Sequence, residues 1–312
     1  DQEKGTARKF DFTGFVALAL AVGAAQLVLD RGQRLDWFES PEIIIVTCIG
    51  LVSFYIFIVH SFTSENPFLN LRLFLDRNFA LGCVMAFAMG WLSYTPIVLF
   101  PPLLQELRGY PDSLVGYLIA ARGFGNWLSF LIVVQFTRLA PRSALAVGLA
   151  SQAIAGWQMG QLSINLTEFD VFWTNLLHGF GFGLAYTPMA FLAFSTLTAK
   201  DMVEGSGIFN LLRHFGSSVF ISISVAVLIE TAAWNYSNMA PITSPYNELL
   251  RFPDVIGQWV SGENLNLSAL SKEIFRQAQM IGYLNAFHLF GLAAAFSIPL
   301  CFLFRNPKKL TN

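Results

Sequence analysis

Two arginines stand deep inside long apolar runs: Arg122, in Ala-Ala-Arg-Gly-Phe-Gly-Asn, and Arg213, in Asn-Leu-Leu-Arg-His-Phe-Gly. A basic group at mid-bilayer costs at least about 2.5–3.5 kcal/mol on insertion scales, so each must face a protein interior or a watery cavity. Pairing with Asn126, Asn210 or a substrate is one use of such a residue. A packing arginine held by the carbonyls of a neighbouring helix is the other, and the residues alone leave both open. His178 and His214 lie in or beside apolar runs and are the candidates for titration near neutral pH; a hydrogen-bonded packing role is the alternative for each. Proton coupling normally uses a buried titrating group, yet no Asp or Glu is central in any run. Asp30, Glu204 and Glu230 fall at run ends.

The segment His178-Gly-Phe-Gly-Phe-Gly-Leu-Ala-Tyr186-Thr-Pro188 carries Gly179, Gly181 and Gly183. A phosphate-cradling loop would need a strand before it and a helix after it. Here the glycines interrupt one continuous apolar run, where small residues let helices approach closely and proline permits a bend or gate. Gly123, Gly125 and Gly216 extend the same packing theme. Metal-ligand spacings, a Walker motif, HExxH and GxSxG are all missing, and Cys48, Cys83 and Cys301 stand far apart. No cofactor, metal, enzymatic activity or nucleic-acid partner is expected.

The elements that must hold these residues are helices in a membrane. The chain is 54% hydrophobic and 12% charged, with 31 Phe and 7 Trp, and its mean hydropathy is +0.55. A soluble domain carries roughly 25% charged residues. Eight apolar segments run over 12–30, 42–60, 79–101, 113–137, 143–162, 171–197, 205–231 and 281–304. They lack the alternation of a β-barrel, so helices are the only spans open to them. Ser40-Pro41-Glu42 and Pro111-Asp112-Ser113 mark two starts. With the N-terminus in the cytoplasm, eleven basic residues fall inside and six outside, which predicts cytoplasmic N- and C-termini for eight helices. The stretch 232–280 reads as a long outer loop. Its end, Leu267 to Ile281, has apolar residues near helical spacing, which predicts an amphipathic helix at the outer surface. The opening Asp-Gln-Glu-Lys-Gly, without Met or a cleavage site after the first run, suggests a chain that begins within a longer protein.

Motifs along nearly the whole chain then carry a resemblance. They are Asn66-Pro67-Phe-Leu-Asn-Leu-Arg72, Arg77-Asn78-Phe79, Leu104-Gln105-Glu-Leu-Arg-Gly109-Tyr110, Ala121-Arg122-Gly123-Phe-Gly125, Gly179 to Pro188, Gly207-Ile-Phe-Asn210-Leu-Leu-Arg213-His-Phe-Gly216, Arg276-Gln277-Ala278 to Tyr283-Leu-Asn-Ala-Phe287, and Arg305-Asn-Pro307. In this order and spacing they resemble the C-terminal part of EmrB/QacA-type drug:proton antiporters, a fourteen-helix branch of the major facilitator superfamily.

The resemblance implies an all-α integral membrane fold: two linker helices (1–62), a cytoplasmic connection (63–78) and the C-terminal six-helix bundle (79–312). It implies a substrate cavity or gate lined by Tyr94, Arg122, Asn126, Tyr186, Pro188, Asn210 and Arg213. The expected activity is proton-coupled export of lipophilic or amphipathic small molecules across the inner (plasma) membrane by alternating access. The N-terminal bundle of the same protein would be a partner, as would a periplasmic adaptor and an outer-membrane channel. That bundle carries the family's membrane-embedded acid, so coupling cannot be read from this chain. Two alternatives remain: a dedicated exporter of one metabolite, fatty acid or siderophore, and a non-transporting truncated module that scaffolds a partner.

Overall fold

A computed structural model describes residues 11–64, 67–243, 260–261, 264–265 and 267–305. Eight long helices follow one another: α1 (Phe12–Arg31), α2 (Pro41–Thr63), α3 (Arg77–Pro102), α4 (Asp112–Leu139), α5 (Pro141–Gly160), α6 (Glu168–Phe194), α7 (Ala199–Met239) and α8 (Leu267–Ser297). Local chemistry sets their starts. Asp11 Oδ1 accepts from Gly14 N at 3.0 Å and Asp76 Oδ1 from Phe79 N at 2.8 Å. Thr167 and Asp170 form a reciprocal capping box ahead of α6. After Pro101 and Pro102 the chain makes one π turn, then turns at Gly109 with φ +67°, a left-handed conformation that glycine adopts without strain.

Seven of the eight helices are long and apolar enough to cross a membrane. The exception is α5, one of the eight segments expected to span, which carries Ser143, Ser151, Gln152 and Gln158. It still runs the depth of the bundle. A Cβ at Gly148 would meet Ala185 of α6, and one at Gly156 would meet Phe290 and Gly291 of α8. Arg142 at its start donates to the carbonyl of Phe304, and Gly160 at its end abuts His288. Packed between α6 and α8 and burying Gln152 there, α5 needs less hydrophobicity on those faces, while Val147, Ile154 and Trp157 stay exposed.

Contacts fix the directions of the others. Gly125 meets Leu176 and Gly183 meets Ser129, so α4 and α6 run parallel; Gly205 meets Phe79 and Gly216 meets Phe87, so α3 and α7 do too. His178 bonds to Leu92 and Gly82 meets Ala193, which sets α3 against α6 in the opposite sense. Each successive helix reverses, and both ends of the described chain lie on one face. Fully enclosed Met85, Met89, Leu92, Phe100, Met159, Met189, Phe287 and Phe290 form the core of this six-helix bundle. Large apolar side chains such as Ile45, Ile56, Phe130 and Leu131 remain exposed on its outside and on the first helix pair, as a hydrocarbon solvent requires.

The first two helices form a hairpin. Gly50 packs on Ala24, Arg31 pairs with Glu42 at 2.6 Å at one end, and His60 meets Asp11 at 2.8 Å at the other. This hairpin touches the bundle through α7, where Gln26 Nε2 donates to Ser218 Oγ at 3.1 Å. Between hairpin and bundle lies an apolar cavity of about 680 Å³ lined in part by Val22, Phe54, Leu69, Leu212 and Phe215.

Two expectations change. The amphipathic surface helix expected over Leu267 to Ile281 is instead the beginning of α8, continuous with the last span. The seventh span likewise continues beyond 231, as a helix of 41 residues ending at Met239. Each extension supports the other: Tyr236 packs edge-on against Phe275 at 5.6 Å, and its hydroxyl meets Ser271 Oγ at 3.0 Å. Of the outer loop expected over 232–280, the described residues outside these two helices are a 3₁₀ turn at Ala240–Thr243 and an antiparallel pair, Val260–Ser261 with Asn264–Leu265. The rest of that loop lies outside the described residues.

Candidate functional site

The helices α3, α4, α6 and α7 converge on one set of partly exposed side chains. On α4, the Arg122 guanidinium sits 5.4 Å from the ring centroid of Phe182 on α6, within electrostatic range of Tyr94 on α3. Phe182 stacks on Tyr186, one turn further along α6, at 5.7 Å and 23°. The Arg213 guanidinium of α7 then lies 5.7 Å from the Tyr186 centroid. Arg213 Nη2 reaches Asn210 Oδ1 at 3.4 Å and His214 Nε2 at 3.1 Å. Asn210 is turned by its own Nδ2–H bond to the Ser206 carbonyl, at 3.0 Å.

Glycines make this convergence possible. A Cβ at Gly179 would lie 2.7 Å from the Arg122 carbonyl carbon, and the backbone carbonyl of Leu176 occupies the space where a Cβ of Gly125 would stand. These two glycines allow α4 to lie directly on α6. Gly183 lies against Asn126 and Ser129, Gly181 against Gly148 and Gln152, and Gly216 against the Phe87 carbonyl. Gly123, grouped with them on sequence grounds, instead has nothing within 4 Å and is exposed.

The two histidines do not come together. His178 is fully buried: its Nε2 lies 2.7 Å from the Leu92 carbonyl and its ring meets Phe290 edge-on at 5.4 Å. That geometry has Nε2–H donating, so His178 bridges α6 to α3 within the core. His214 is exposed, beside Arg213. Asn126 directs a buried Oδ1 that lacks a hydrogen-bond donor among the described residues. Pro188 is buried in α6, which continues to Phe194 despite the missing N–H.

Phe182 is the residue that sequence reasoning overlooked. Its spacing of four from Tyr186 was the available signal, since residues at i and i+4 share one helix face. On a helix rich in phenylalanine, that spacing does not single it out.

No protein-family model matches the chain. The multidrug export protein EmrB of Escherichia coli K12 is 28% identical over 242 residues, 77% of this chain and 47% of that protein. The multidrug export protein EmrB of Haemophilus influenzae is 28% identical over 283 residues, 89% of this chain and 55% of that protein. The chain thus spans about half the length of the curated relatives it matches. Among solved structures, a bacterial homologue of the human lysosomal transporter Spinster, inward-facing and occupied, superposes with a TM-score of 0.51. It is 14% identical, and the match covers 94% of this chain and 69% of that one; the likeness is one of fold. This multi-pass helical membrane chain is thus similar, at 28% identity, to EmrB-type multidrug export proteins over most of its length, and its fold is that of a solved transporter.

Proposed function

We propose that the chain supplies the two linker helices and the C-terminal bundle of a proton-coupled exporter of lipophilic or amphipathic compounds. The observation that supports this is the convergence of Tyr94, Arg122, Asn126, Phe182, Tyr186, Asn210 and Arg213 from four helices onto one partly exposed surface. An N-terminal bundle of the same protein would close that surface into a midplane cavity, and rocking of the two halves would expose it to each side in turn. The face holding Arg72, Arg77, Arg138, Arg142 and Arg305 would be cytoplasmic. In a cell with two membranes, an adaptor and an outer-membrane channel would continue the route outward.

Reconstitution of the full-length protein tests this. A panel of lipophilic dyes of either charge should be extruded from proteoliposomes under an imposed proton gradient, and a protonophore should abolish that flux. Arg213→Ala should remove transport at near-normal expression. Flux indifferent to the protonophore refutes proton coupling, and transport of a single compound with indifference to all the dyes favours the dedicated exporter.

A further inference from the structure

The apolar cavity of about 680 Å³ between the first helix pair and the bundle is a slot walled by three helices. Its lining runs from Leu18 to Leu29 on α1, from Val46 to Ile58 on α2 and from Ile208 to Val219 on α7. At 1.5 Å per residue each wall is about 16–18 Å long, close to one leaflet of a hydrocarbon layer about 30 Å thick. The walls lie level with one another, because Gly50 packs on Ala24 and Gln26 reaches Ser218. Leu71 and Phe74 line the slot from the turn before α3, and Phe38 from the turn between α1 and α2. Ala21 and Ala25 keep the α1 wall shallow.

The chemistry of the lining decides what can fill this space. Among the described residues that line it, Thr47 alone has a polar side chain, and its hydroxyl already donates to the Ile43 carbonyl at 2.7 Å. At about 30 Å³ each, roughly 20 waters would fit, and each needs about two to four polar partners; the side chains offer none to spare. A drug-sized ligand would likewise find no polar group to orient it. Hydrocarbon needs neither. The rim is apolar too: Leu51 and Phe54 line the slot yet are 65% and 52% exposed, and Ile45, Ile49 and Val52 beside them on α2 are also exposed. On α7 the wall is the stripe Ile208, Leu212, Phe215 and Val219. At about 100° per residue, Asn210 and Arg213 lie about 140–200° around the helix from that stripe. The slot therefore looks away from the surface proposed for the transport cavity.

We infer that one acyl chain of a membrane phospholipid occupies this slot and joins the hairpin to the bundle. The Gln26–Ser218 hydrogen bond ties α1 to α7 directly; over the rest of the slot the helices meet through the chain between them. The site is independent of the exporter reading, since it holds a lipid whether or not the protein transports.

A phosphatidylethanolamine with a diazirine midway along one acyl chain is reconstituted with the full-length protein and photolysed, and its adducts are mapped by peptide mass spectrometry. Adducts should form on Leu212, Phe215 or Val219. They should also form on Ile154 of α5 and Phe296 of α8, which are exposed and report ordinary boundary lipid. Ala25→Phe puts a ring into the slot. It should cut the α7 adducts at least fivefold while changing those at Ile154 and Phe296 by less than twofold. Boundary adducts together with a monodisperse elution profile show that the variant is folded; should it fail to fold, Val22→Phe on the same wall should act alike. A saturating lipophilic dye, rhodamine 6G, should leave the α7 adducts unchanged. Boundary adducts without α7 adducts would show that the rest of the protein closes the slot and would overturn the inference. So would α7 adducts that survive the substitutions, because lipid would then reach that wall by another route. Loss of the α7 adducts to the dye would overturn it in favour of a substrate site. Adducts that follow the slot, without proton-driven flux, would leave it standing and refute the exporter reading alone.

Discussion

Replacing Gly179 by Ala puts a single methyl group where α4 crosses α6. That Cβ would lie 2.7 Å from the carbonyl carbon of Arg122 and 2.8 Å from its Cα, with the carbonyl oxygen closer still. Ordinary contact begins near 3.4 Å, so the two backbones must part by at least about 0.7 Å, and neither has a flexible end that can swing aside. Overpacking of this kind costs about 1–3 kcal/mol, while the gain in helix propensity from Gly to Ala returns about 0.8–1 kcal/mol. Gly116→Ala on α4 is the control, because nothing lies within 4 Å of that position. It gains the propensity without the clash. Gly179→Ala should therefore be less stable than Gly116→Ala by about 1–3 kcal/mol, a factor of roughly 5 to 150 in the folding equilibrium. Reversible unfolding of both variants in bicelles, by steric trapping, measures the difference. Two variants of equal stability would refute the close approach of α4 and α6, and with it the placement of Arg122 over Phe182.

Two further perturbations follow from the face of the bundle that holds both ends of the described chain. Asn78, 1% exposed, accepts from Arg305 N at 2.8 Å and donates to Arg305 O at 3.2 Å, tying the start of α3 to the end of the bundle. Asn78→Ala should cost about 1–3 kcal/mol for the backbone groups left unpaired and accelerate amide exchange at Arg305; unchanged exchange there would argue against the tie. Burial pushes the Asp11 carboxyl up, but the Gly14 N–H, the His60 ring and the Phe68 N–H outweigh it and hold the group below its ordinary 3.8. Its contribution to the hairpin is thus fully present above about pH 4 and is lost as pH falls through the lowered value. Hydrogen exchange at Gly14 and Phe68 should quicken at acid pH in the natural chain and already be fast at neutral pH in Asp11→Asn. The same acid dependence in both would sink this account.

How much of this could be read from residues alone depended on whether one helix carried the signal. Long apolar runs and the Gly179, Gly181 and Gly183 series are properties of single segments; the eight helices were legible from the runs, and a close helix contact, without its partner, from the glycines. The end of the seventh span was not. Polar Asn235, Ser237 and Asn238 look like loop residues, yet Asn235 and Asn238 donate to carbonyls four residues back within the helix, and α8 packs alongside. The stretch from Leu267 to Ile281 has helical periodicity, but whether such a helix lies flat or stands up is decided by its partner, here Tyr236 of α7 against Phe275. His178 could be marked as polar in an apolar run, but its acceptor, the Leu92 carbonyl, is 86 residues away. The pairing of Arg122 with Phe182 likewise exists only once α4 and α6 are in register.

A helix of 41 residues without an internal proline is a rod about 61 Å long. Anchored near its N-terminal end, where Glu204 holds the Asn70 backbone, α7 has the geometry of a lever with its fulcrum close to that end. A tilt of about 5° about Glu204 shifts Arg213 by only about 1 Å, yet sweeps the tip beyond Tyr236 through about 4.5 Å. A small displacement at Arg213 is thereby geared up more than threefold at the far end of the helix. Because Tyr236 grips Phe275 and Ser271, α8 must travel with it.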